Sequence, residues 1–316
     1  MGSLCLVTGG AGFIGSSIVR ALLDRSHSVR VIDNFFSGKR ENLADLAGDV
    51  ELIEADIRDE AALSRALAGV DTVFHQAAIA SVPRSLKDPI SSHDANATGT
   101  LKLLHQAKQA GVRRFVYAAS SSAYGDSATL PKIEKMAPAP LSPYAVSKLT
   151  GEQYCQVFSG AYGLETVCLR YFNVFGPRQD PASEYAAVIP RFVTAALANR
   201  GVTIYGDGTQ SRDFCFIDNV VAANLAAAIA PNAAGSMVNI ACGSSTSLND
   251  VVHLLEKMLN RQIPITYADR RVGDVMHSLA DIGAAGRILG YVPSTTFADG
   301  LRKTVDWYAS LVPTLP

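Results

Sequence analysis

Glycines at positions 9, 12 and 15 follow directly on the apolar run Leu4–Val7 and open the amphipathic stretch Ile14–Leu23, and no other feature of the chain restricts its fold as strongly. A strand that runs through such a triplet into a helix makes a tight turn. Its backbone N–H groups can approach a pyrophosphate, and the helix N-terminus faces the anion. Asp33 ends the next apolar run, Val29–Ile32, where a carboxylate can accept from a ribose 2′-OH and would repel a 2′-phosphate. The three glycines and Asp33 therefore predict a dinucleotide site that takes NAD in preference to NADP, a preference that Lys39 and Arg40 nearby would soften. Asp56, behind a third run, is placed either beside the adenine or as a cap for the segment Arg58–Leu67.

The rest of the first half repeats the alternation. Val50–Ile53, Thr72–Phe74, Phe115–Tyr117 and Thr166–Leu169 read as buried strands. Ala61–Leu67, Thr98–Ala110 and Tyr144–Phe158 read as the helices between them. This pattern predicts an α/β fold, a Rossmann-type doubly wound parallel sheet over residues 1–172, with ligands beyond the carboxyl ends of the strands. From 173 to 316 the pattern loosens into turns, such as Gly176-Pro177 and Gly206-Asp207-Gly208, and isolated helices at Asp218–Ile229, Leu248–Leu259, Ile282–Leu289 and Phe297–Ala309. That half is expected to form a smaller, mixed lobe, with the Asp218 helix either inside it or packed back on the sheet.

Tyr144 and Lys148 lie one helical turn apart, on one face of a helix. An ammonium beside a phenol favours the phenolate and is expected to bring the tyrosine down from roughly 10 toward working pH, which makes a proton acceptor. Alone, such a pair is as readily a surface contact. Here it follows the fifth strand and Ser120-Ser121-Ser122, which supply either a polar turn or a hydroxyl that binds a reacting oxygen and relays its proton to Tyr144. A base and a hydride carrier in one chain point to redox chemistry at an alcohol carbon.

Composition narrows the partners. With a formal net charge of −1 over 316 residues there is no broad basic field for nucleic acid or anionic membrane, so ligand phosphates must be met by local groups. No apolar stretch approaches the roughly 20 residues of a membrane span. The N-terminus enters a strand with no basic start or cleavage pattern, and a cytoplasmic location is expected. The five cysteines are widely spaced with no C-x-x-C pair and read as small core residues, while the six histidines show no metal-site spacing. No metal is expected.

The chain resembles the extended short-chain dehydrogenase/reductase family and, within it, the nucleotide-sugar 4-epimerases. The resemblance runs through T-G-G-A-G-F-I-G, Asp33-Asn34, His75-Gln76-Ala77-Ala78, Asn96 in N-A-T-G-T, S-S-S-A-Y-G, S-P-Y-A-V-S-K, Arg170-Tyr171-Phe172-Asn173-Val174-Phe175-Gly176-Pro177 and Arg212-Asp213-Phe214. It implies that Phe13, Ile14, Asn34, Ile57, Gln76, Ala77, Ala78, Asn96 and Tyr171 join Gly9, Gly12, Gly15, Asp33, Asp56, Tyr144 and Lys148 around NAD. It also implies that Tyr144, Lys148 and Ser120 carry the proton while a hydride leaves sugar C4 and returns to its other face. Arg212 and Arg271 suit the diphosphate, although Arg271, beside Asp269, could equally form a solvated ion pair. By similarity Asn173 would hold the sugar or first phosphate, Val188 and Tyr205 would flank the uracil, and Asp274 would reach the ribose, with Ser81 and Ser122 also lining the sugar site.

Two departures narrow the implied activity. Related dehydratases and decarboxylases carry acids just after the hydroxyl residue of the fifth strand, where this chain has Ser121 and Ser122. Ser278 stands where epimerases restricted to glucose and galactose carry Tyr. With Ala80, Ser121, Asn173, Gln179 and Ala187 it resembles the wall of the subgroup that prefers UDP-N-acetylglucosamine and UDP-N-acetylgalactosamine. That subgroup tends to have Gly at the Ala80 position, which would relax the preference toward UDP-glucose. Two alternatives stay open: a 4-epimerase of another UDP sugar such as UDP-glucuronate, with Arg84 toward C6, and a non-catalytic NAD-binding regulator on the same fold. The resemblance also implies a homodimer, for which the helices Thr98–Ala110 and Tyr144–Phe158 offer a face unless both simply pack on the sheet.

Overall fold

The computed structural model describes residues 2–46, 48–181, 188–270 and 275–311. Six strands lie where the apolar runs predict: β1 (Leu4–Thr8), β2 (Ser28–Asp33), β3 (Val50–Glu54), β4 (Thr72–His75), β5 (Arg114–Ser120) and β6 (Glu165–Tyr171). A seventh, β7 (Ser236–Ile240), joins the edge beside β6, so the sheet runs β7-β6-β5-β4-β1-β2-β3 with every pair parallel. The sequence reading missed β7 because Asn239 interrupts its apolar residues. Asn239 is buried, and its side chain accepts from the Tyr124 hydroxyl (2.7 Å) and donates to the carbonyl of Lys132 (3.0 Å).

Alternation along the strands sorts side chains onto two helical layers. Cys5, Val7, Val116 and Ala118 face one side with helix α1 (Phe13–Leu23). Leu6, Phe115, Tyr117 and Ala119 face the other with α2 (Glu60–Leu67), α3 (Gly99–Gln109) and α4 (Pro143–Tyr162). The helix α5 (Ile217–Ile229) packs on α1, β5 and β6, which decides between the two placements open to it: it lies back on the sheet. The chain beyond residue 172 thus adds a helix and an edge strand to the sheet layers. Among the described residues its remainder holds three two-stranded pairs, Val174–Phe175 with Cys215–Phe216, Ser211–Arg212 with Thr246–Ser247, and Val202–Tyr205 with Ile265–Ala268. Phe175, Phe214, Phe216 and Phe297 pack edge-on and stacked between them.

Helix α4 starts where local chemistry dictates. Ser142 caps it by accepting from the Ala145 N–H (3.2 Å), Pro143 occupies a first-turn position that needs no donor, and Gly163 ends it in the left-handed region. Buried Glu152 in α4 makes a bidentate pair with buried Arg170 in β6 (2.6 and 2.8 Å), fixing helix against strand. Among the described residues no helix is long and apolar enough to cross a membrane.

Candidate active site

Strands β1 and β4 are neighbours, yet the chain between them builds β2 and β3 on the far side of β1. This is the switch point where open α/β sheets form a crevice, and the glycine turn lies in it. Gly9 has φ +66°, and a Cβ there would stand 2.7 Å from the Ala77 nitrogen. One on Gly15 would stand 2.1 Å from the Gly9 carbonyl oxygen. Side chains are excluded where backbone must come close. Helix α1 has no acidic residue in its first turn, so its leading N–H groups are left to an anion. Asp33 is buried at the end of β2, accepting from the Ala11 N–H (2.9 Å) and the Phe35 N–H (2.8 Å), and burial raises its carboxyl above the usual range. The cradle fits a dinucleotide.

The other cations and acids around this turn have partners. Lys39 pairs with Asp180 (3.1 Å), and Arg40 pairs with Glu54 (2.5 Å) and lies over the Phe35 ring. Asp56 is not the helix cap, because α2 begins later and Asp59 caps it, accepting from Ala61 and Ala62. Asp56 instead pairs with Arg58 and accepts from Asn34 (2.7 Å), so those two predicted residues meet beside buried Ile57, and the Arg58 guanidinium holds its carboxyl down at about 2.

His75 explains how the crevice is held. Thr100 Oγ1 donates to the Asn96 carbonyl (2.5 Å), so His75 Nε2 must donate to Thr100 (2.8 Å), leaving Nδ1 to accept from Thr8 Oγ1 (2.7 Å). Thr8 in turn accepts from the Ala77 N–H (3.2 Å). Burial holds the imidazole neutral, pushed down to about 3. The Asn96 side chain clamps the segment after β4 by accepting from the Ile79 N–H (2.8 Å) and donating to the Ile79 carbonyl and Ser147 Oγ. Gln76 and Tyr171 meet through their side chains (3.3 Å), with Asn224 of α5 bonded to both. Asn224, missed in the sequence, was signalled only by being an amide in the otherwise apolar run from Val220 to Ile229. Ala78 lies half-buried on the same segment.

Ser120, at the end of β5, accepts from both the N–H (3.2 Å) and the hydroxyl (2.8 Å) of Ser122, which leaves its own proton to be directed at Tyr144, whose phenol it draws down. Ser121 follows at the start of the same half-buried turn. The expected depression of Tyr144 is not found. Burial raises its phenol above the ordinary value, and the Ser120 hydrogen bond alone opposes this. Lys148 is itself buried, pushed down to about 8, and its ammonium lies over the Tyr117 ring. The phenol is therefore protonated in the protein by itself, because desolvation of the phenolate outweighs a cation directed elsewhere.

Across the crevice a cleft of about 250 Å³ is lined by Asn173, Val188, Tyr205 and Arg212, bringing together four predicted residues from four segments. Arg212 donates to the carbonyls of Ser211 (3.0 Å) and Met276 (3.1 Å). Asn173 adopts φ +28°, a conformation that non-glycine residues seldom occupy, and donates to Ser278 Oγ (3.5 Å) and the Asp213 carbonyl (3.2 Å). Asp213, also missed, is fully buried and accepts from the N–H groups of Cys242, Gly243 and Ala280; burial pushes it up to about 6. Its carboxyl ties the turn after β7 to the segment that carries Ser278. Gln179 donates to the Val174 carbonyl (3.2 Å), Ala80 is exposed, and Ser81 caps the short helix Val82–Lys87. Arg84 lies over the Phe36 ring, 4.4 Å from its centroid. Ala187, Arg271 and Asp274 lie outside the described residues.

The NAD dependent epimerase/dehydratase family model matches residues 5–241. The chain belongs to that family. It is accordingly an enzyme with NAD as cofactor. A UDP-glucose 4-epimerase of Mycolicibacterium smegmatis is 38% identical over 308 residues, covering 96% of this chain and 97% of the relative. A UDP-N-acetylglucosamine 4-epimerase from Methanobrevibacter ruminantium, solved with UDP-N-acetylmuramic acid, superposes with a TM-score of 0.94 at 41% identity, covering 98% of this chain and all of that one. A UDP-glucuronic acid 4-epimerase from Bacillus cereus, solved with UDP-glucuronic acid and NAD, gives 0.91 at 34% identity over 98% of this chain and 99% of that one.

Proposed function

We propose that this enzyme interconverts the C4 epimers of a UDP-hexose through a transient 4-keto sugar, with UDP-N-acetylglucosamine and UDP-N-acetylgalactosamine as the preferred pair and UDP-glucose and UDP-galactose as further substrates. The observation that carries the reading is the Ser122–Ser120 hydrogen bond at the end of β5, which leaves the Ser120 proton to favour the Tyr144 phenolate, with no acid at Ser121 or Ser122. Dehydration and decarboxylation need an acid there, and epimerisation does not.

Residues 1–172 hold the cofactor. The first-turn N–H groups of Phe13 and Ile14, which Gly9, Gly12 and Gly15 leave open to approach, would meet the pyrophosphate, Asp33 and Asn34 the ribose, and Asp56 and Ile57 the adenine side. Gln76, Ala77, Ala78, Asn96, Tyr171 and Lys148 bound the nicotinamide end. Bound NAD supplies reversible hydride acceptance at sugar C4. With the cationic nicotinamide of bound NAD and with Lys148 one helical turn away, Tyr144 would be held as the phenolate, and Ser120 would bind the 4-hydroxyl and pass its proton to it. Tyr144 returns the proton after the sugar has presented its other face. Residues 173–316 keep hold of the handle meanwhile, with Val188 and Tyr205 at the uracil and Arg212 at the diphosphate. The short side chains of Ala80, Ser81 and Ser278 would leave the hexose room to turn beside Gln179. The same reading carries a homodimer paired through the outer face of α4, where Val146 and Val157 are 45% and 53% exposed.

Ser278 tests the substrate. Its short side chain, 3.5 Å from Asn173 Nδ2, leaves room for a 2-acetamido group. Ser278→Tyr places a ring there and is expected to lower kcat/KM for UDP-N-acetylglucosamine by at least about tenfold more than for UDP-glucose, since a clash acts only on the larger substituent. An unchanged ratio in folded, NAD-loaded protein would remove the acetamido preference.

A further inference from the structure

Helix α4 carries a glycine, Gly151, one turn beyond Lys148, where glycine weakens a helix interior. A Cβ at Gly151 would stand 2.3 Å from Tyr117 Oη and 2.7 Å from Cζ, so the glycine admits the Tyr117 side chain against the helix. Tyr117 is fully buried on β5, and its hydroxyl donates to the carbonyl of Lys148 (3.1 Å). The ammonium of the same lysine lies over its ring, 4.8 Å from the centroid, within reach of a cation–π attraction that strengthens when water is excluded.

The surroundings offer that ammonium little else. The ammonium interacts with Cys155 from its own helix, Tyr117 from β5, His75 from β4 and Cys168 from β6, while Tyr144 and Glu152 of α4 stand around the Tyr117 side chain. Glu152 is occupied by Arg170, and no carboxylate among the described residues pairs with Lys148. The Cys155 hydrogen bond and burial raise the Cys168 thiol, burial raises the Tyr144 phenol, and His75, packed on Tyr117 at 5.6 Å, is neutral. An aromatic face therefore stands where a buried cation ordinarily has a counter-ion.

We propose that Tyr117 is a positioning residue for Lys148, its ring holding the ammonium and its hydroxyl fixing the helical turn that carries it. The contact with the ammonium stands apart from the catalytic reading; the effect on turnover rests on that reading. The test follows the ζ-nitrogen of Lys148 by ¹⁵N NMR in the holoenzyme and in Tyr117→Phe and Tyr117→Leu, with the signal assigned by its loss in Lys148→Arg. Tyr117→Phe keeps the ring and should titrate with the wild type. Tyr117→Leu should titrate about one pH unit lower, roughly a tenfold loss of the protonated form. The alkaline limb of kcat should move down with it while KM for the UDP sugar holds. If the leucine variant does not fold, Tyr117→Met fills the space without a π face. An unshifted Lys148 midpoint in the variant without a ring overturns the proposal. A shifted midpoint with an unmoved alkaline limb keeps the ring contact and overturns the catalytic role of Lys148.

Discussion

Tyr144→Phe is expected to lower kcat for 4-epimerisation by about 10²- to 10⁴-fold, the range supplied by a positioned acid–base group. The aromatic ring is retained, so the packing of α4 is kept and only the phenol that Ser120 meets is lost. Binding of the UDP sugar and the complement of NAD should therefore stay as in the wild type, and the loss should fall on kcat rather than KM. The measurement is formation of the C4 epimer, with nicotinamide dinucleotide quantified after denaturation of the same preparation. Turnover within a few-fold of wild type would place the base on another residue.

Gly9→Val should yield protein that purifies without NAD. Any L side chain at φ +66° costs about 1–2 kcal/mol, and a β-branched one is a steric outlier there. Its Cβ would also overlap the Ala77 backbone, 2.7 Å away, forcing β1 and β4 apart at the crevice. The wild type is expected to carry NAD through purification, because the same cofactor must return the hydride it receives. Chromatography of dinucleotide released on denaturation, beside a thermal unfolding curve, checks both statements. A folded Gly9→Val protein with a full complement of NAD would mean that the pyrophosphate is not held by this turn.

The contrast between Tyr144 and the glycine turn shows where sequence reading succeeds. Turn, cap and strand are local: Gly9 in a left-handed conformation, Ser142 ahead of Pro143, and apolar runs of strand length each carry their cause within a few residues. The pKa of Tyr144 is not local. Spacing on the helix placed Lys148 beside it, but burial, which comes from packing against the rest of the fold, reverses the expected direction. Asp56 shows the same limit on a smaller scale, since the true start of α2 gave the cap to Asp59.

From the chain alone came the parallel α/β sheet, the dinucleotide turn with its acid at Asp33, and the Tyr144, Lys148 and Ser120 set, because each is written in a short periodic or motif-bearing segment. Tertiary structure alone decided that α5 and β7 return to the sheet, and that Asn224, Asp213 and His75 hold the crevice and cleft through buried hydrogen bonds. It also seated Lys148 on the Tyr117 ring. Such buried polar and cation–π contacts join residues far apart in sequence, and their strength depends on exclusion of water that only the packed fold provides.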